Sequence, residues 1–235
     1  MKRTAHEQSD GLLTANSCRS RLRDRENSGR TEPSHITPRY ADQLNAPLDR
    51  RPILVALAGP NGAGKTTFYH SHLKSAGLRF LNADEISREL EIDAYEAASV
   101  VAGLRRELVK QEVSFVFETV FSDPVGEKLA FLKETAESGY MVILCFIGLS
   151  SSAKSDERVA MRVTQGGHDV PTDKLIARFP RTLANLKAAI GQLPYVLVFD
   201  NDDLRRPFRQ VAAFQQGRSF WLAKRQPRWF EDLMR

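Results

Sequence analysis

The segment Gly59-Pro60-Asn61-Gly62-Ala63-Gly64-Lys65-Thr66-Thr67 fits the spacing G-x-x-x-x-G-K-[ST], in which successive backbone N–H groups wrap a phosphate chain. Glycine at Gly59, Gly62 and Gly64 keeps side chains out of that wrap. The spacing assigns Lys65 to the β- and γ-phosphates and Thr66 to Mg²⁺, with Asn61, Ala63 and Thr67 completing the cradle. The apolar run Ile53 to Ala58 predicts a buried strand leading into the loop, and a helix opening at about Gly64 would add its positive dipole end. Strand, loop and helix all favour one kind of ligand, a nucleotide such as ATP.

Two further positions break an apolar pattern where chemistry would need them. The stretch Asn82-Ala83-Asp84-Glu85 follows the second expected strand and puts the Asp84 carboxylate near the loop, in the place of a general base for an attacking hydroxyl; the alternative is a cap on the following helix. Ser114 to Phe117 is almost wholly apolar and then yields Glu118 and Thr119. Glu118 could bind substrate hydroxyls or sit beside Mg²⁺; otherwise it is an exposed strand end.

Phosphoryl transfer also needs positive charge on the developing γ-phosphoryl and a segment that excludes water. Arg158 and Arg162 stand at i, i+4, so on a helix they share one face, and Arg178 and Arg181 supply two more arginines nearby. Between the pairs, Gly166-Gly167-His168-Asp169-Val170-Pro171 reads as a hinge or an ordered loop. His168 has no Cys or His at metal-ligand spacing, which argues against zinc. There is no G-x-S-x-G elbow, and neither cysteine has the setting of a nucleophile, so covalent hydrolase chemistry is disfavoured.

The elements that must position these residues fit one domain. A chain of 235 residues, 42% hydrophobic, can build a single α/β domain and is short for two. Five strands are expected, over Ile53 to Ala58, Arg79 to Asn82, Ser114 to Glu118, Tyr140 to Ile147 and Tyr195 to Phe199. Helices are expected over Gly64 to Leu73, Ala94 to Gln111, Pro124 to Ser138 and Lys174 to Ile190. This alternation predicts a three-layer α/β fold with a mostly parallel central sheet of about five strands flanked by helices. The aromatic-rich segment of about 205–235 is expected to form a hairpin and a covering segment, and residues 1–51 a disordered or loosely docked basic arm.

The formal net charge of +5 favours anionic ligands without by itself indicating nucleic acid. Two cysteines, Cys18 and Cys145, give no disulfide framework and suit a reducing compartment. No apolar run approaches the ~18 residues of a membrane span, and residues 1–30 lack the apolar core of a secretory signal, so a cytoplasmic protein with no membrane contact is expected.

Taken together, the blocks Ala58 to Thr67, Asn82 to Ile86, Phe117-Glu118-Thr119-Val120-Phe121-Ser122, Arg158 through Arg181 and Phe199-Asp200-Asn201 resemble, in order and spacing, the zeta-toxin family of P-loop kinases, over about Pro52 to Asn201. The resemblance implies a kinase domain over 52–235 with a lid region at about 151–181. It implies ATP- and Mg²⁺-dependent phosphorylation of a sugar hydroxyl, with UDP-N-acetylglucosamine as acceptor in the best known members, and an antitoxin protein as partner. It makes Lys65 and Thr66 ligands of ATP and Mg²⁺, Asp84 the base, Glu118 and Thr119 substrate contacts, and Arg158 a phosphate clamp. Where longer members carry a second arginine three residues before a proline, this chain has His168 before Pro171, leaving Arg162, Arg178 or Arg181 for that charge. Two readings remain beside it: a nucleotide-gated binding module that uses the basic arm, and a P-loop kinase with another nucleotide-linked or polynucleotide acceptor.

Overall fold

The computed structural model describes residues 51–164 and 170–235; the basic arm and the loop residues Gly166, Gly167, His168 and Asp169 lie outside the described residues. Strand β1 (Ile53–Ala58) enters the phosphate loop, which opens the short helix α1 (Lys65–Phe68). Next come β2 (Arg79–Leu81), α2 (Ala83–Leu90), α3 (Ala94–Lys110), β3 (Phe115–Thr119), α4 (Glu127–Glu137) and β4 (Met141–Gly148). The chain continues through α5 (Ser152–Val163), α6 (Thr172–Gln192), β5 (Tyr195–Asp200), β6 (Arg209–Gln215), β7 (Arg218–Leu222) and α7 (Arg228–Met234).

All seven strands share one sheet, in the order β2-β3-β1-β4-β5-β6-β7. The first five pair in parallel, and β6 and β7 extend the sheet antiparallel beyond β5. The expected five strands are therefore corrected to seven. The expected hairpin forms as β6 and β7, and it also pairs with β5 along Tyr195↔Gln215 through Asp200↔Arg209, which adds both strands to the sheet. Its turn is Gln216-Gly217, with φ of 49° and 78°, the two positive values that a tight hairpin turn matching strand twist requires.

Strands β1 and β4 are buried along their whole length, as expected for parallel strands covered on both faces. Alternate residues serve opposite layers. Leu54, Ala56, Phe117, Leu144, Phe146 and Val198 join one core, whereas Val55, Leu57, Val116, Ile143, Cys145 and Phe199 join the other with Phe68. Two helical expectations change. The helix after the loop is α-helical only to Phe68 and continues as a π-helical turn over Tyr69–Leu73, which stacks His72 on Phe68 at 4.5 Å. Helices α2, α5 and α7 lie outside the four helical ranges expected; α2 has Asn82 as its N-cap, the Asn82 side chain accepting from Asp84 N at 2.8 Å.

Helix α7 packs its aromatic pair Trp229 and Phe230 into the core, on Phe146 of β4 and Phe214 of β6. The Trp229 indole lies on Gly148, where a Cβ would collide with its ring, and Trp229 Nε1 donates to Asp200 Oδ1 at 2.9 Å. Phe146 is fully buried, with its ring centroid 6.3 Å from that of Trp229. Phe146→Ala is expected to lower stability by about 3–5 kcal/mol, read from the midpoint of urea unfolding; a change below about 1 kcal/mol would contradict the packing described.

Candidate functional site

Parallel strands present their C-terminal ends to one edge of the sheet, and three of them meet there. Ala58 at the end of β1 pairs with Thr119 of β3 on one side and Phe146 of β4 on the other. The phosphate loop springs from that point, the place where α/β sheets bind ligands. Its carbonyls are held from behind. Pro60 O accepts from Lys65 Nζ at 3.1 Å, Asn61 O from Ser155 Oγ at 2.6 Å, and Ala63 O from Asn201 Nδ2 at 2.8 Å.

Two glycines are required by this close packing. Gly62 has φ 72°, and a Cβ there would lie 2.9 Å from both Arg158 Cβ and Ser155 O of α5. Gly64 has φ 87°, and its Cβ would meet Asn201 Nδ2 at 2.8 Å. Any side chain at either position would face both a left-handed backbone and an occupied space.

Glu118 gathers the reactive groups. Its Oε2 accepts from Thr66 Oγ1 at 2.7 Å and from Asn82 Nδ2 at 3.3 Å, and its Oε1 lies 3.7 Å from Lys65 Nζ. The Lys65 side chain is 6% exposed and that of Glu118 14%, so the pair is largely out of water. Burial lowers the Lys65 pKa from its ordinary value, opposed by the negative charges of Glu118 and Asp84 and reinforced by the positive charge of Arg162. These influences bring Asp84 and Arg162 into the electrostatic neighbourhood of Lys65. Asp84 does not cap α2, because Asn82 takes that role; its exposed carboxylate sits in the first turn instead. Thr119 is buried, and its Oγ1 accepts from the N–H of Phe121, a residue held at φ 61°.

The arginines divide. Arg158 and Arg162 lie on α5 as the spacing predicts, and Arg158 Nη2 donates to Asp202 O at 2.8 Å. Ser155, Arg158 and Arg162 recur at helical spacing, so the helix that bonds the loop also carries both arginines. On α6, Thr182 donates to Val120 O at 3.1 Å and Asn185 to Phe121 O and Asp123 O, which sets that helix over the end of β3. Arg178 shares the face of Thr182 one turn away and is partly exposed, whereas Arg181 is exposed; among the described residues no hydrogen bond joins either to the loop. His168 lies outside the described residues.

Sequence reasoning gave no role to Asn82, Ser155, Asn201 or Asp202. Asn201 had a visible signal, since Tyr195 to Phe199 is apolar and then breaks to Asp200-Asn201, the same kind of break that marked Glu118. Ser155 had none; a serine in a polar helix is ordinary until the fold puts it against Asn61.

The donor set fits a magnesium nucleotide. Arg158 Nε, beside the loop, is buried with no hydrogen-bond partner, and a guanidinium N–H left over at a phosphate cradle suits an anion. Among the described residues no group of three or more His, Cys, Asp or Glu could hold a metal, and a phosphate-bound Mg²⁺ needs only one or two protein ligands. Burial pushes the Cys145 thiol up to about 12, so it supplies no thiolate at neutral pH. Among the described residues no helix is long and apolar enough to cross a membrane.

The chain belongs to the AAA domain family AAA_33, whose model matches residues 54–189, and its fold is a mostly parallel α/β sheet flanked by helices. It is 27% identical over 126 residues to an uncharacterized protein of Haemophilus influenzae, an alignment covering 52% of this chain and 88% of that one. Among solved structures it is similar to a chain of the AvrRxo1-ORF1:AvrRxo1-ORF2 complex with sulphate ions, at a TM-score of 0.63 and 19% identity over 82% of this chain. The same complex with ATP gives 0.59 and 20% over 76%. This chain spans 66% and 63% of those two chains, less than two thirds of their length. A chain of the PezAT chromosomal toxin–antitoxin system of Streptococcus pneumoniae matches at 0.50 with 18% identity, covering 69% of this chain and 72% of that one.

The charge balance around Lys65 is testable without any substrate. Replacing Glu118 by Gln removes the nearest group that holds the ammonium charged, so the titration midpoint of the Lys65 side chain, followed by carbon-13 NMR at Cε, is expected to move further down. An unchanged or higher midpoint would show that the Glu118 carboxylate does not stabilise the Lys65 charge.

Proposed function

We propose that this chain is an ATP-dependent phosphotransferase of the zeta-toxin type, which transfers the γ-phosphoryl of ATP to a hydroxyl of a small sugar-nucleotide acceptor. The observation that carries the reading is the Glu118 carboxylate, which draws together Thr66 and Lys65 of the phosphate loop and Asn82 at the start of the Asp84 helix. A nucleotide cradle alone would serve a motor or a switch equally well. A cradle with a carboxylate at its acceptor side and two arginines above it suits transfer to a hydroxyl.

In this reading the loop N–H groups and Lys65 bind the β- and γ-phosphates, and Arg158 and Arg162 of α5 stabilise the charge that develops on the transferred group. Asp84 accepts the proton of the acceptor hydroxyl as its oxygen bonds to the γ-phosphorus and the bond to the β-phosphate oxygen breaks. Thr66 would hold Mg²⁺, which when bound neutralises phosphate charge. Glu118 and Thr119 orient the acceptor, and Arg178, Arg181 and His168 are further candidates for the lid.

UDP-N-acetylglucosamine is the leading acceptor because the resemblance implies it, and an antitoxin protein is the proposed partner because one similar fold comes from a toxin–antitoxin system. ATP is the proposed donor, supported by the phosphate loop and by a similar chain crystallised with it. A cytoplasmic location follows from the reducing compartment that the two cysteines suit.

Incubation with labelled ATP and a metabolite extract, followed by mass identification of the product, is expected to yield a phosphorylated sugar nucleotide. ATP binding with no transfer to any acceptor would overturn the kinase reading in favour of a nucleotide-gated module. Asp84→Asn is expected to lower the transfer rate by about 10²–10⁴-fold with ATP affinity nearly unchanged; a variant that keeps its turnover would remove Asp84 from the role of base.

A further inference from the structure

A phosphate loop works through N–H groups that must stay aimed at the ligand, yet its own carbonyls would readily turn the peptide planes the other way. Here two carbonyls of the loop are held by side chains remote in sequence. Asn61 O accepts from Ser155 Oγ, 94 positions away, and Ala63 O from Asn201 Nδ2, 138 positions away. Both donors are buried, Ser155 to 1% and Asn201 to 2% exposure, and the Asn201–Ala63 bond is buried throughout.

Each donor is itself fixed. Asn201 Oδ1 accepts from Phe208 N at 3.2 Å, and Asn201 N donates to Gly148 O at 3.0 Å, which ties the side chain to the turn before β6 and to the end of β4. Ser155 stands one turn before Arg158, whose guanidinium is anchored on the carbonyl of Asp202, the residue after Asn201. Asp202 Oδ1 in turn accepts from Ser150 N at 3.0 Å and from Ser150 Oγ at 2.8 Å. Loop and arginine helix are thus registered to each other through Ser155 directly and through the Asn201-Asp202 pair.

We propose that Ser155 and Asn201 are positioning residues of the nucleotide site: they touch no reacting atom, and by holding the Asn61 and Ala63 carbonyls they set the direction of the loop N–H groups and their distance from Arg158. The inference deepens the proposed function and rests on the loop binding a nucleotide. It is independent of the acceptor and of Asp84, because an equilibrium measurement with ATP alone tests it.

The experiment measures ATP affinity by titration calorimetry for the full chain and for Ser155→Ala, Asn201→Ala, the double variant and Trp229→Phe. Each alanine variant is expected to weaken ATP binding by about tenfold, since a loop carbonyl loses the donor that holds it. The double variant is expected to lose less than the product of the two single effects, because both donors serve one loop. Trp229→Phe removes a buried bond to the neighbouring Asp200 and is expected to lower the melting temperature with ATP affinity unchanged. Ser155→Thr, which keeps the hydroxyl, is expected to bind ATP more tightly than Ser155→Ala. If Asn201→Ala does not fold, the Ser155 pair of variants decides the matter alone.

Alanine variants with wild-type affinity would overturn this inference and leave the kinase reading standing, as would equal loss in Trp229→Phe, which would mean a general loss of structure. A wild-type chain that binds no ATP would overturn both.

Discussion

Around the phosphate loop the chain must keep a backbone segment rigid while leaving its N–H groups free for a ligand. A helix or strand solves rigidity by pairing both donors and acceptors, and so cannot serve. This loop pairs Ala63 N with Pro60 O at 3.3 Å and is otherwise held through its acceptors: Lys65, Ser155 and Asn201 donate to the carbonyls of Pro60, Asn61 and Ala63. The three donors come from α1, α5 and the end of β5, so loop geometry depends on the layers of the fold being assembled in register. The glycines are the counterpart of that arrangement, since at Gly62 and Gly64 a Cβ would displace the elements that supply the donors.

The second organising feature is electrostatic. Lys65 is buried where a lone ammonium would be costly, and Glu118 offsets the desolvation from 3.7 Å away. Glu118 is in turn satisfied by Thr66 and Asn82, so the ends of β1, β2 and β3 meet in one polar cluster. Parallel pairing is what makes this geometry available, because it brings successive strand ends to the same edge of the sheet. The hairpin and α7 matter to the site only indirectly: β6 fixes the register of β5, which carries Asn201 to the loop.

Much of the scaffold could be read before folding. The five parallel strands appear where short apolar runs lie between helical stretches, because strands buried on both faces have little choice but to be apolar. What could not be read was the union of β6 and β7 with that sheet. Gln216-Gly217 is a weak turn signal, and whether Val211 to Phe214 packs as a covering piece or pairs with β5 depends on an edge that exists only once β5 is in place. The π-helical turn after Phe68 was equally hidden, since its aromatic residues suit an α-helix as well.

By itself the sequence determined the phosphate loop, the strands on either side of the site and the positions of Asp84, Glu118 and Arg158, because each depends on local spacing or on a polar break in an apolar run. Tertiary structure alone decided that Glu118 bonds Thr66 and Asn82. It also decided that Ser155 and Asn201 hold the loop. Those outcomes turn on contacts between residues 36 to 138 positions apart, whose distance no local pattern encodes.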